Sequence, residues 1–305
     1  MKTLRALLVL GRVSNLPTIW SNCLCGWLLG MGFSGKEQID WFVFGLLTLG
    51  VTGLYTGGMY LNDACDALWD RKHRPERPIP AGLIEGKTVW LLGIGMMAGG
   101  MFFICLQGGT TALLALCLFN LILIYNFLHK GISWSPLLIA GCRLLLILMA
   151  ACHAYIYSVG LDEAPASFFM SSTGGVATWT ALALFAYVAG LGWLAKVESE
   201  PGLVRVWPCL LLALPIGIAV LRNSGEDQRD ALMMSAILGF WVLRSLLTTF
   251  WVEEADIGRT VGGLLAGIVL VDLLAVAALV PSGFAVVFVG LFALALAAQR
   301  WVPAT

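Results

Sequence analysis

Ten stretches of this chain are apolar for roughly the 20 residues that a lipid bilayer demands of a spanning helix. They run near 14–33, 41–62, 88–107, 110–128, 135–157, 174–195, 203–221, 230–251, 260–280 and 283–300 of 305 residues. Hydrophobic residues make up 59% of the sequence and charged ones 12%, the composition of a polytopic membrane protein rather than a soluble domain. Net charge is zero, so nothing suggests a nucleic-acid partner. The eight cysteines fall mostly inside apolar runs and read as small core residues. Lys2 and Arg5 precede a short apolar run that Arg12 interrupts, with no clear cleavage site, so the first segment is expected to be retained.

Loop lysines and arginines set the expected orientation. Lys2, Arg5 and Arg12, the 63–87 loop, Lys130, and Lys196 with Arg205 alternate onto one side, which is expected to be cytoplasmic. The opposite loops are lightly charged or acidic; two arginines in 222–229 weaken the pattern without reversing it.

One block breaks the apolar character. Asn62–Gly82 holds Asn62, Asp63, Asp66 and Asp70, then Arg71, Lys72, His73, Arg74 and Arg77, interleaved with Pro75, Pro78 and Pro80. Asn62, Asp66 and Asp70 are spaced i, i+4, i+8, drifting only about 40° per step around a helix, so they share one face with Asp63 close by. Carboxylates so close repel one another unless a hard cation lies between them, and Mg²⁺ accepts such ligands while leaving sites for phosphate oxygens. The basic residues downstream suit a polyanion. The prolines are expected to hold that basic run as a stiff loop, since each fixes φ and ends a helix. Together these features point to a Mg²⁺-diphosphate site at a membrane surface.

The order Asn62-Asp63-x-x-Asp66-x-x-x-Asp70, then Arg74-Pro75-x-Arg77-Pro78-Ile79-Pro80-x-Gly82, resembles the first aspartate-rich motif of the UbiA superfamily of intramembrane prenyltransferases. The resemblance implies an all-α polytopic membrane protein. About nine transmembrane helices would surround a central cavity under a cytoplasmic cap, in a single domain over 1–305. It implies Mg²⁺ on Asn62, Asp63, Asp66 and Asp70, with Arg74 and Arg77 among the substrate-binding residues.

Other polar residues acquire expectations from the same resemblance. Asn15 and Asn22, seven apart, are expected to give the cavity at least one polar wall residue. Arg12 has two readings, snorkelling to the interface or binding phosphate. Tyr125 and Lys130 end the fourth segment in a way similar to the family's diphosphate neighbourhood; aromatic-belt and positive-inside roles are the alternative. Arg143 lies inside the fifth segment, where an arginine needs a partner or a polar cavity, and is expected to reach the aspartates or the diphosphate. Arg244 and Asp272 are expected to be satisfied within the bundle, and His153 to be structural. UbiA-type proteins place a second aspartate-rich, Mg²⁺-binding motif where this chain has Lys196, Glu198 and Glu200; the resemblance makes Glu198 and Glu200 further metal-ligand candidates, although the departure puts a full two-metal site in doubt. Lys196 and Glu200 could equally form an i, i+4 ion pair.

The expected chemistry is Mg²⁺-dependent transfer of a prenyl group from a prenyl diphosphate to an aromatic or lipid acceptor within the bilayer. Asp66, Asp70, Arg143 and Lys196 are its expected catalytic groups. The expected setting is a bacterial inner membrane or its equivalent. The alternative is a UbiA-like scaffold that binds or moves a lipid-linked precursor without catalysis. No Walker loop, dinucleotide fingerprint, Ser-His-Asp set or zinc spacing is present.

Overall fold

Asp40 starts the longest helix: its carboxylate accepts from the backbone N–H of Phe42 (3.0 Å) and Val43 (3.1 Å), the capping that short polar side chains provide. The computed structural model describes residues 2–32, 39–159, 165–197, 207–223, 225, 227–250, 257–277 and 282–303. Among these the chain is helical, with no strand. Helix α1 (Lys2–Leu10) is followed by a 3₁₀ turn (Val13–Asn15), α2 (Leu16–Met31), α3 (Trp41–His73), α4 (Gly86–Cys105) and α5 (Gly109–Leu128). Then come α6 (Ser135–Val159), the short α7 (Pro165–Met170), α8 (Ser172–Val197), α9 (Trp207–Arg222), α10 (Asp227–Phe250), α11 (Ile257–Val276) and α12 (Ser282–Gln299).

Each of the ten apolar segments read from the sequence coincides with one long helix. Seven described helices, α3, α4, α5, α6, α8, α10 and α11, are long and apolar enough to cross a membrane; α9 and α12 are apolar but shorter. Helix α3, with 33 residues, is about 50 Å long, well beyond the ~30 Å hydrocarbon layer. One end therefore reaches past the apolar slab, and the charges place that end at 63–73.

That length corrects one expectation. Arg71, Lys72 and His73 do not belong to the proline loop: they form the last turn of α3 and are exposed. Lysine and arginine are good helix formers, and the helix stops only at Arg74, the residue before Pro75, where the proline ring disfavours helical geometry. The loop beyond is a tight succession of turns. Ala81 N–H bonds the Arg77 carbonyl (2.9 Å) and Leu83 N–H that of Pro78 (3.0 Å). Gly82, at φ 71°, takes the left-handed backbone that favours glycine.

Helices α2, α6, α8 and α11 form the centre. In α11, 78% of the most apolar stretch is buried, against 22% in α5, so α5 faces lipid along much of its length. Backbones approach closely where glycines allow it. A Cβ on Gly26 of α2 would lie 2.6 Å from the Ile147 carbonyl of α6, and one on Gly30 would collide with the Ala151 carbonyl. On α3, a Cβ on Gly57 would lie 2.7 Å from the Gly93 carbonyl of α4. Small residues at such crossings are how membrane helices gain packing energy that the hydrophobic effect does not supply within lipid.

Gly30→Val should force α2 away from α6 and destabilise the protein by about 1–3 kcal/mol. The measurement is the thermal midpoint in detergent. Gly95→Val is the control: nothing lies within 4 Å of that position's Cβ, so the midpoint should not move.

Candidate functional site

The acidic face of α3 is buried. Asn62, Asp63, Asp66 and Asp70 are 4%, 7%, 8% and 2% exposed, too enclosed for three carboxylates to go uncompensated. The compensation comes from separate parts of the chain. The proline turns fold Arg77 back onto the helix, where its Nη1 donates to Asp63 Oδ1 (2.8 Å) and Asp70 Oδ2 (3.1 Å). From the end of α5, Lys130 Nζ lies 2.7 Å from Asp66 Oδ1, and His129 Nε2 lies 3.4 Å from Asp66 Oδ2. Lys130 also sits 4.2 Å from the centre of the Trp69 ring, a favourable place for an ammonium. Asn62 donates to Asn126 Oδ1 (3.4 Å), and Asn126 to the Gly58 carbonyl (2.9 Å), which fixes α5 against α3.

The turn before α2 supplies a further cation. Arg12 is the one non-glycine residue at positive φ among those described (43°), a conformation that costs about 1–2 kcal/mol and marks a constrained site. Its carbonyl accepts from Tyr55 (3.4 Å), and the nearby Leu7 carbonyl accepts from Tyr60 (3.2 Å); both tyrosines are on α3. Burial opposes the Arg12 charge, but Asp63 foremost, with Tyr55, Tyr125 and Asp66, raises its pKa above the ordinary value. The acids of α3 are among the electrostatic neighbours of Arg12, which favours the inward of its two readings.

Deeper in the bundle lies a second polar cluster. Arg143 of α6 donates to Asn22 Oδ1 (2.5 Å) and Thr18 Oγ1 (2.9 Å) on α2. Asn22 donates to Asp272 Oδ2 of α11 (2.7 Å), and Ser21 bonds the same oxygen. Asp272 Oδ1 has no hydrogen-bond partner among the described residues. Asp272 is thus paired within the bundle on one oxygen, and Arg244 lies over the Trp241 ring (5.2 Å). Arg143 does not take the place expected for it: both its hydrogen bonds run to α2, not to the acids of α3. Its link to them is indirect, through Tyr55, an electrostatic neighbour of both Arg143 and Arg12.

The remaining expected site residues divide. Asn15 is buried in the 3₁₀ turn directly before α2, its carbonyl accepting from Thr18 (2.7 Å). Tyr125 stacks on His129 at 4.9 Å, next to Asp66. Arg74 caps α3 through its own N–H to the Asp70 carbonyl (2.8 Å), and its side chain joins no acid. Lys196 donates to the carbonyls of Ile132 (2.9 Å) and Ser133 (3.0 Å), tying the end of α8 to the α5–α6 turn. Glu198 and Glu200 lie outside the described residues. His153 bonds Thr111 (2.9 Å), as a structural residue does. Sequence reasoning missed His129, Asn126 and Tyr55. The one available signal was their spacing, with Tyr55 one helical face below Asn62 and Asn126–Lys130 forming a single polar turn.

Three carboxylates and an amide are the hard oxygen donors that Mg²⁺ prefers, so the donor chemistry fits that ion. As placed, no three metal-binding side chains converge among the described residues, because Arg77 and Lys130 neutralise the acids instead.

This geometry can be set beside known proteins. Residues 23–156 match the UbiA prenyltransferase family, a stretch that contains the whole acidic face, Arg77, Lys130 and Arg143. This stretch of the chain is similar to that family. The resemblance read from the motif is borne out. Digeranylgeranylglyceryl phosphate synthase of Metallosphaera sedula is 35% identical over 91 residues, 30% of this chain and 32% of that protein. The synthase of the same name from Methanopyrus kandleri is 30% identical over 114 residues, 36% of this chain and 39% of its own length. The matched stretches thus span 32% and 39% of these relatives' lengths. A solved structure concerned with digeranylgeranylglyceryl phosphate synthase in membranes superposes with TM-score 0.55 at 17% identity, covering 96% of this chain and 100% of that one. The apo structure of a UbiA homolog from Aeropyrum pernix K1 gives 0.51 at 16%, covering 95% and 94%. At such identities the structures bear on the fold alone, and the UbiA-like fold extends over nearly the whole chain.

The UbiA-like bundle should depend on its central polar cluster. Arg143→Met removes the donor to Asn22 and Thr18 and a positive charge close to the buried Asp272, and should cost about 1–3 kcal/mol. Asp272→Leu should also destabilise, and the double variant should lose less than the sum, with a coupling of about 0.5–3 kcal/mol. Thermal unfolding of the four proteins in detergent measures the cycle.

Proposed function

We propose that this protein is a membrane prenyltransferase that moves a prenyl group from a prenyl diphosphate to an aromatic or lipid acceptor with the help of Mg²⁺. The observation that carries the reading is the buried acidic face of α3 closed by Arg77, Lys130 and Arg12. A stable fold alone is poorly served by so many enclosed charges, whereas a diphosphate and its counter-ion need both signs in one place. The relatives named digeranylgeranylglyceryl phosphate synthase favour a phosphoglycerol lipid as acceptor. Nine spans, the central cavity, one domain over 1–305 and a cytoplasmic position for the motif are parts of this reading.

In the proposed reaction the allylic C–O bond of the donor breaks and its electron pair leaves with the diphosphate. An acceptor lone pair or π-bond then forms the new bond to that carbon, and the acceptor's proton passes to water. Asn62, Asp63, Asp66 and Asp70 would hold Mg²⁺, which supplies charge neutralisation for the diphosphate oxygens. Arg77 and Lys130, already paired with carboxylates, can turn part of their charge to the leaving group as it develops. Arg12 orders the inner side of the same face. Arg143 acts as a positioning residue through Asn22 and Thr18, and Lys196 holds the α5–α6 turn that presents Lys130. With both signs of charge enclosed at one point, non-catalytic binding is the less favoured reading.

The test is Mg²⁺-dependent release of diphosphate from geranylgeranyl diphosphate by the purified full chain, with aromatic and phosphoglycerol acceptors supplied. Asp66→Ala should abolish release. Lys130→Ala should lower it by about 10²–10³-fold, the usual loss of one preorganised charge-stabilising group. Binding without release under any acceptor would overturn the reading in favour of a binding or transport role.

A further inference from the structure

Arg222 and Arg229 stand on the side of the bundle whose other loops are lightly charged or acidic. Arg222 is the last residue of α9. That helix runs antiparallel to α8: a Cβ on Gly190 would lie 2.7 Å from the Pro208 carbonyl at the start of α9, whereas Thr180 and Ala183 line a recess with Arg222 at its end. Lys196, at the other end of α8, bonds the turn that follows Lys130. Arg222 therefore marks the end of the bundle away from the acidic face. The recess there, about 30 Å³, opens between α8, α9 and α11, and Pro215, Asn223 and Val271 are also in its wall.

Two polar groups of this recess lack the partners they need in an apolar setting. Thr180 is 3% exposed, and its Oγ1 has no hydrogen-bond partner among the described residues. Two residues earlier, Thr178 donates to the Gly174 carbonyl of its own helix at 2.7 Å, a common resort of a helical hydroxyl. A helical threonine has two accessible χ1 wells, so the hydroxyl of a lining residue can turn to an acceptor that enters. Arg222 is half-buried, and no ion pair among the described residues involves it. The volume limits the occupant. It exceeds what one water needs but is about a tenth of a site that encloses a whole small molecule. One end of a molecule fits, and the rest must lie outside, where Leu210, Leu214 and Leu221 of α9 are exposed.

We infer that this recess holds the phosphate–glycerol end of a bilayer phospholipid, from the leaflet opposite the acidic face. Arg222 pairs with the phosphate, and Thr180 donates to an ester carbonyl of the same lipid. A phospholipid carries these acceptors in that order, phosphate at the surface and ester carbonyls beneath it. Arg222 is at the end of its helix and Thr180 is eight residues into its own, so the cation is at the rim and the hydroxyl below. The guanidinium offers planar, paired donors that match phosphate oxygens. The acyl chains lie along the exposed leucines of α9. Val271 precedes Asp272, so the lipid also steadies the part of α11 that carries the deeper polar cluster.

The experiment uses the full chain, delipidated in detergent, with native mass spectrometry to read bound lipid and the thermal midpoint to read stability. The probes are dioleoylphosphatidylglycerol, dioleoylglycerol, which lacks the phosphate, and inorganic phosphate, which lacks the esters and chains. The phospholipid should bind and raise the midpoint, and the other two should not. Arg222→Gln should weaken its binding by about tenfold or more and Thr180→Val by about two- to tenfold, the usual losses of a charged and a neutral hydrogen bond. Thr180→Ser should bind as the parent does. Arg229→Gln makes the same change of charge at an exposed neighbour and should leave binding unchanged. Parent-like binding by Arg222→Gln, an equal loss in Arg229→Gln, or no binding by the parent overturns the inference. An equal rise with inorganic phosphate makes the recess a free-anion site and overturns the lipid. A midpoint that Arg222→Gln lowers equally with and without lipid assigns the arginine a role within the protein, which overturns it as well.

Discussion

Three carboxylates on one helix, each less than a tenth exposed, impose the condition that shapes this end of the molecule. Enclosed charge is tolerated only when paired and hydrogen-bonded. Helix α3 cannot supply the pairs itself, because its own basic residues form an exposed last turn. The cations arrive instead from the proline loop, from the end of α5 and from the turn before α2. Each pairing fixes one connection: Arg77 folds the 74–85 loop back, Lys130 brings α5 to α3, and Arg12 draws in the chain that leads to α2. The order of this surface is thus a consequence of charge balance rather than of apolar packing.

The deeper cluster obeys the same rule in a stricter setting. Arg143, Asn22, Thr18, Ser21 and Asp272 come from three helices, α6, α2 and α11, whose packing on one another is otherwise largely apolar. Hydrogen bonds between helices in lipid are individually modest, about 0.6 kcal/mol on average in measured cases. Their larger effect is on register: sliding α2 by one turn relative to α6 would separate Arg143 from both of its acceptors and lose the close contact at Gly26 and Gly30. Packing and polar pairing therefore select the same arrangement of α2, α6 and α11. Tyr55 stands between the two clusters and touches the electrostatics of both.

Much of the fold was legible because its determinants are local. An apolar run of sufficient length specifies a helix by itself, and each of the ten runs became one. The acidic face was equally legible, since the i, i+4, i+8 spacing fixes its geometry within one element. The partners were not. Asn22 and Asp272 are 250 positions apart, and an intramembrane charge announces that it needs a partner without saying where the partner is. Arg143 was expected to reach the motif's aspartates or the diphosphate for that reason, and its hydrogen bonds run instead to Asn22 and Thr18. The end of α3 was misplaced because prolines were given more reach than they have: Pro75 restricts its predecessor, but Arg71–His73 are far enough upstream to stay helical. Arg12 was undecidable from sequence, because inward and outward orientations differ only in a backbone turn that a non-glycine residue rarely adopts.

A cavity between α3, α4 and α5 follows from an asymmetry in how α4 meets its two neighbours. Toward α3 it presents Gly93 and Gly100, against Gly50, Gly53 and Gly57, and the backbones come into near contact. Toward α5 the residues at the gap are large: Trp90 and Met101 on one side, Phe119 and Phe127 on the other. One side of a helix packed on glycine and the other on aromatic side chains cannot keep both neighbours equally close. Space is left on the α5 side, and the Asn62–Asn126–Gly58 hydrogen bonds hold α5 to α3 near the motif, so the space is bounded at that end by polar groups. The glycine stripe that looks, in the sequence, like a device for helix packing therefore also determines where a cavity can open beside the acidic face.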